Sequence, residues 1–269
     1  MQIGSKQFQI GTRTYILGIL NITPDSFYDG NDYNTIQKAL SRTQQMILEG
    51  VDIIDIGGES TRPDYKSISV ESELSRVIPI IQEIKKNYHI PISIDTQKYQ
   101  VAREAVEAGA NMINDIWGLR DMDMLNFVSS TQLPCVIMHN QSEISSGDII
   151  SNLQKYFETK ISFAQKQGIK LENIIIDVGI GFAKTVEQNI NIIKNLSKFT
   201  NFGVPLLLGA SNKSLFSQVG LSKENRIEAT IASSVIASQA GVSFVRVHNV
   251  GENIRALRFA DHIFREQND

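Results

Sequence analysis

Short runs rich in Ile, Val and Leu alternate along the chain with longer polar stretches of helical periodicity. The runs are Tyr15–Ile22, Ile53–Ile56, Ile92–Ile94, Met112–Asn114, Cys135–Met138, Ile174–Val178, Leu206–Gly209 and Phe244–Val247. Each is continuously apolar rather than alternating, the pattern of strands buried on both faces of a parallel sheet. Every gap between them is long enough for a crossover helix of at least ~10–12 residues.

The gaps carry that helix signal. Thr35–Glu49 holds Ile36, Ala39, Leu40, Met46 and Ile47 at helical spacing and stops at Gly50. Glu71–Tyr88 sets Leu74, Val77, Ile78, Ile81 and Ile84 on one stripe, with Pro79 as a point of kinking. Val101–Ala108 and Ile149–Gln167 run into Gly109 and Gly168, where a helix C-terminus favours a left-handed residue. Val186–Phe199, Asn225–Ala240 and Glu252–Phe264 complete the set. Eight strand–helix units in succession predict an α/β fold, a (β/α)8 TIM barrel; the strand count disfavours a doubly wound open sheet. Ile3–Tyr15 reads as a short N-terminal hairpin closing the barrel floor. No linker, low-complexity segment or fixed repeat interrupts residues 1–269, which predicts a single domain.

Composition narrows the class. With 42% hydrophobic residues the chain can bury a sizeable core, which excludes a disordered protein. Its 29 acidic and 26 basic residues nearly balance, and no basic run points to nucleic acid or an anionic membrane. A single cysteine, Cys135, excludes a disulfide framework and a cysteine-based zinc cluster, and its place inside an apolar run makes it a core residue. Met1–Thr14 is unlike a signal peptide, and no apolar run approaches the ~18 residues of a membrane span, so a cytoplasmic protein is expected.

Barrel enzymes build their sites on the C-terminal ends of the strands. Here those ends are polar throughout: Asn21, Gly57-Gly58-Glu59, Asp95, Asn114-Asp115, His139-Asn140, Asp177, Ser211-Asn212-Lys213-Ser214, and Arg246 with His248. Any one Asp or Asn after a strand is an ordinary helix cap or turn former, and Arg246 and His248 could equally face the helix layer. Convergence of all eight ends argues for a ligand. Asp95, Asn114, Asp177 and Lys213 offer acceptors and donors suited to a heterocycle with an amide and amino edge. Asn21, Arg246 and His248 fall on neighbouring strands and suit a diphosphate with Mg2+. The segment Val178–Thr185 ends like a P-loop but lacks both of that motif's glycines.

The motifs Asn21-x-Thr-Pro-Asp-Ser-Phe27, Asp55-x-Gly-Gly-Glu-Ser-Thr-Arg-Pro63, Ser93-Ile-Asp-Thr96, Ile113-Asn-Asp115, Gly179-Ile-Gly-Phe182 and Arg246-Val-His248 resemble, in this order, those of the dihydropteroate synthases. The resemblance runs from about residue 15 to 265, and the first two motifs separate that family from the pterin-binding methyltransferase barrels sharing its fold. It implies condensation of 6-hydroxymethyl-7,8-dihydropterin diphosphate with p-aminobenzoate in folate synthesis, by a dissociative route in which diphosphate leaves first. It implies pterin binding by Asp95, Asn114, Met138, Asp177 and Lys213, and diphosphate binding by Asn21, Thr61, Arg246 and His248, with Asn21 meeting Mg2+. Phe27, Arg62, Pro63, Phe182 and Ser214 are implied at the p-aminobenzoate pocket, and Asn21, Thr61, Arg62, Lys213, Arg246 and His248 in catalysis. The family also implies a homodimer and sulfonamide sensitivity.

One departure bears on the functional reading. The family's strand-7 motif is Ser-Arg-Lys, whereas Asn212 stands here between Ser211 and Lys213. Asn212 motivates an alternative, a pterin-binding paralogue of low or no activity; a methyl-transferring barrel is a third reading, opposed by the intact first two motifs. Val178 and Ala183 replace proline and glycine of the family's strand-6 turn, with local backbone effects only.

Overall fold

A computed structural model describes residues 1–23, 32–60, 67–141, 143–144 and 146–265. A hairpin, β1 (Gln2–Ile3) and β2 (Lys6–Gln7), precedes eight parallel strands: β3 (Tyr15–Asn21), β4 (Ile53–Gly57), β5 (Ile92–Asp95), β6 (Met112–Asp115), β7 (Cys135–Met138), β8 (Ile174–Asp177), β9 (Leu206–Leu208) and β10 (Phe244–Val247). They close in sequence order, with β10 pairing β3. The expected (β/α)8 barrel and its hairpin are both present.

Strand alternation divides the apolar runs between two cores. Ile16, Leu20, Ile54, Ile56, Ile92, Ile94, Ile137, Ile176 and Val245 face outward and pack with the helices. Tyr15, Leu17, Ile53, Met112, Val136, Ile175, Leu207 and Phe244 face inward and fill the lower barrel. Ile3 and Phe8 from the hairpin segment join that inner cluster, the Phe8 ring lying 4.9 Å from Tyr15 and 5.9 Å from Phe244. The hairpin is therefore a plug made by apolar insertion. With the floor filled, only the upper ends of the inward rows remain for a ligand.

The outer layer comprises α1 (Asp32–Glu49), α2 (Val70–Asn87), α3 (Tyr99–Ala108), α4 (Met122–Thr131), α5 (Ile149–Lys166), α6 (Val186–Lys194), α7 (Leu215–Gln218), α8 (Arg226–Gln239) and α9 (Val250–Phe264). Helix α2 runs unbroken through Pro79. Helix α4 is not announced by the sequence pattern: only Met124, Leu125 and Val128 are buried, and its start is fixed by Asp121, which caps the amides of Asp123 and Met124. The expected helix over Val186–Phe199 splits into α6 and a 3-10 turn, Leu196–Phe199. Among the described residues no helix is long and apolar enough to cross a membrane.

Candidate active site

The inward parity that fills the floor with apolar side chains delivers polar ones to the mouth. Asn21, Gly57, Asp95 and Asn114 are successive register partners across β3, β4, β5 and β6. Met138 and Asp177 are partners across β7 and β8. Two residues above Phe244, Arg246 turns inward and closes the ring. The alternative placement of Arg246 toward the helix layer is thereby excluded.

Arg246 bridges two carboxylates. Its Nε donates to Asp55 Oδ2 at 2.5 Å, and an Nη donates to Asp95 Oδ2. Asp55, fully buried, also accepts from Asn114 Nδ2 at 3.3 Å. Burial lifts the Asp95 carboxyl to about 7 against the pull of Arg246, with Asp55 and then Glu73 adding to the rise. The second oxygen of Asp95 is buried without a hydrogen-bond partner among the described residues, an acceptor open to a ligand donor. Burial also raises Asp177, whose Oδ1 accepts the Gly179 amide at 2.7 Å. Lys213 is pulled down to about 8 by burial and by Arg246, while Asp177 and Asp95 oppose the shift.

Two loops frame this ring. After β8 the backbone folds so closely onto β7 that a Cβ on Gly179, at φ +66°, would stand 2.0 Å from the His139 carbonyl oxygen. Only glycine fits there, which explains the glycine that the P-loop comparison leaves unexplained. Lys184, buried, stitches the turn by donating to the carbonyls of Gly179 at 2.8 Å and Phe182 at 3.0 Å. The Lys213 ammonium lies 4.4 Å from the centre of the half-buried Phe182 ring. After β9, Ser211 contacts His248 Nδ1 at 2.9 Å, while Ser214 is exposed at the start of α7. Asn212 is exposed and left-handed, at φ +54°, with its carbonyl held by Arg226 at 3.1 Å.

Below the second motif lies an ion cluster. Lys98 Nζ reaches Glu59 at 2.6 Å and Glu73 at 2.5 Å, and the other oxygen of Glu59 accepts the Ile68 amide at 2.9 Å. Phe27, Thr61, Arg62 and Pro63 lie outside the described residues.

The structure thus gathers Asn21, Asp95, Asn114, Met138, Asp177, Lys213 and Arg246 at one mouth, with Phe182 beside Lys213 and His248 one step beyond β10. Asp55, Lys98 and Lys184 were missed as candidates. The signal for Asp55 was present: a carboxylate at inward parity inside an apolar run must have a buried partner. Those for Lys98 and Lys184 were not, because loop lysines are ordinarily solvated. A cavity of about 540 Å³ lined by Arg13, Arg258 and Arg265 lies at the opposite, lower end of the barrel.

A barrel whose mouth sets the carboxyl groups of Asp95 and Asp177 and the carboxamides of Asn21 and Asn114 beside a lysine and an arginine is built to hold a polar ring carrying an anion. The pterin binding enzyme family matches residues 17–248. A dihydropteroate synthase of Clostridium beijerinckii is 49% identical over 98% of this chain and 100% of its own length. In structure, dihydropteroate synthase from Clostridium difficile, solved in the presence of pteroic acid, superposes with a TM-score of 0.93 at 44% identity, covering 97% of this chain and 100% of its own. The Xanthomonas albilineans dihydropteroate synthase, solved with 4-aminobenzoic acid, gives 0.89 at 35% identity, covering 93% of each chain. The chain belongs to the dihydropteroate synthase family of pterin binding enzymes.

Proposed function

We propose that this protein is a dihydropteroate synthase, joining 6-hydroxymethyl-7,8-dihydropterin diphosphate to p-aminobenzoate with release of diphosphate. The observation that carries the reading is the inward ring of Asp95, Asn114 and Asp177 with Lys213 and Arg246 above an apolar floor. Asp95, with its open acceptor oxygen, and Asp177 receive the donors of the pterin amino edge, while Asn114 and Lys213 complete its hydrogen bonds and Met138 packs on the ring. The diphosphate falls to Arg246 and His248, and Thr61 is assigned the same ligand. Phe182, with Phe27, Arg62, Pro63 and Ser214, forms the p-aminobenzoate pocket.

The charge layout suits a dissociative departure. Positive charge developing on the pterin is favoured by the buried carboxyl groups of Asp95 and Asp177 at its other end, and negative charge growing on the diphosphate by Arg246 and His248. The arylamine attacks as a neutral nucleophile, so no strong base is required. Asn21 is the residue that would hold Mg2+: its side chain makes no hydrogen bond among the described residues, and its Oδ1 would lie 3.5 Å from a Cβ on Gly57. A single protein oxygen, completed by diphosphate and water, is a common way to hold this ion. When bound, Mg2+ offsets charge on the diphosphate.

Asn212, the motive for a non-catalytic reading, is exposed and leaves Lys213, Arg246 and His248 in place, which favours the enzyme. The homodimer belongs to the same proposal, supported by exposed Phe259, Ile263 and Phe264 on α9 and exposed Ile236 on α8, two helices that pack together. So does a cytoplasmic location. The test is to supply pterin diphosphate, p-aminobenzoate and Mg2+ to the purified protein. Dihydropteroate should form, and Arg246→Ala should raise KM for the pterin diphosphate far more than for p-aminobenzoate. Pterin binding without product would leave a binding protein instead.

A further inference from the structure

We infer that Ser211 is a positioning residue that fixes the tautomer of His248, so that the ring presents Nε2–H to the diphosphate; the second half rests on the diphosphate role proposed above for His248. Strands β9 and β10 are neighbours, and the residues just beyond them meet. Ser211 Oγ lies 2.9 Å from His248 Nδ1 and also accepts the main-chain N–H of His248 at 3.2 Å. Ser211 is 7% exposed, and among the described residues its hydroxyl has no other partner.

That inventory dictates where the protons go. A serine hydroxyl carries one proton and two lone pairs. The main-chain N–H can only donate, so it occupies a lone pair and the hydroxyl proton must find its own acceptor. The one acceptor in reach is Nδ1. Were Nδ1 protonated, Ser211 Oγ would face two donors at once and its buried proton would have no partner, an arrangement native interiors avoid. Nδ1 is therefore the acceptor, and the ring proton resides on Nε2. Arg42 holds the residue from the other side by donating to the His248 carbonyl at 2.6 Å, so main chain and ring are both fixed.

The same contact links two parts of the site. Ser211 opens the loop that carries Lys213, and His248 follows the strand that carries Arg246. A shift of the lysine loop would be felt as a change in the ring's hydrogen bonding, and the diphosphate end of the site is thereby tied to the pterin end.

The test uses the full-length protein with 15N-labelled histidine, the His248 signals being assigned by their loss in His248→Gln. Nδ1 should resonate as an unprotonated acceptor and Nε2 as a protonated nitrogen, and addition of inorganic diphosphate with Mg2+ should move Nε2 more than Nδ1. Ser211→Ala should mix the tautomers and raise KM for the pterin diphosphate about tenfold, with KM for p-aminobenzoate changed by less than about twofold. Ser211→Thr, which keeps the hydroxyl, should restore both readouts. Nδ1 protonated in the unaltered protein, or a tautomer unchanged in Ser211→Ala, overturns the assignment to Ser211. A mixed tautomer with unchanged KM for the pterin diphosphate overturns the link to that ligand, and no response of either nitrogen to diphosphate overturns the role of His248 itself.

Discussion

Arg246 donates through Nε to Asp55 at 2.5 Å, a bond that reaches from β10 over β3 to β4 at the barrel mouth. Asp55 accepts in turn from Asn114, so one buried carboxylate orients both a cation and a carboxamide of the proposed pterin site. Asp55→Asn keeps the shape and removes the charge. It should leave the fold intact and lower kcat/KM for the pterin diphosphate about 10–100-fold, measured by steady-state kinetics. An unchanged kcat/KM would mean that Arg246 is oriented by Asp95 alone.

The pH dependence follows from Asp95. As pH falls through about 7, the carboxylate is protonated and loses an acceptor, so kcat/KM for the pterin substrate should drop on that limb. Asp55 is among the charges that raise Asp95, so in Asp55→Asn the limb should move to lower pH, and in Asp95→Asn it should vanish. Stability runs the other way. The folded state binds a proton between about 4 and 7 that the unfolded chain does not, so Asp95 makes the protein more stable as pH falls across that window. Unfolding of the unaltered protein and Asp95→Asn at several pH values should show this difference.

Removing the ammonium at the base of the second motif should be costly. Lys98→Met leaves Glu73, fully buried, and Glu59 facing each other without their shared cation. A loss of about 2–4 kcal/mol in chemical denaturation is expected. The double change Lys98→Met with Glu73→Gln should recover part of it.

Two side chains adopt left-handed backbone in the loops around the site, Asn212 at φ +54° and Ala183 at φ +44°. Asparagine adopts that region at little cost and alanine only with strain, so Ala183→Gly should stabilise by about 0.5–1 kcal/mol while Asn212→Val should destabilise by about 1–2 kcal/mol. Asn212→Arg should bring no gain in turnover. A large gain would show that the departure at this position limits the enzyme.

The barrel was legible because eight continuous apolar runs are separated by helix-length stretches, three of which run into a glycine, and period-two alternation then carries Asn21, Asp95, Asn114, Asp177 and Arg246 to one mouth. The inner filling by Ile3 and Phe8 was legible only as a hairpin, since its insertion depends on the size of the space that the strands leave. Helix α4 escaped because its short apolar face is held by a capping aspartate rather than by a long stripe. The Arg246–Asp55 and Lys98–Glu59–Glu73 contacts join distant parts of the chain, and no local pattern reports them. Ser211 reads as part of a motif with no function of its own, because only the fold brings its hydroxyl against His248.

The most direct measurement is to follow diphosphate and dihydropteroate together after mixing the protein with pterin diphosphate, p-aminobenzoate and Mg2+. Equal amounts of both are expected at every time point, with both lost together in Arg246→Ala. Diphosphate released without dihydropteroate, or neither product from a protein that binds the pterin, would contradict the proposed function.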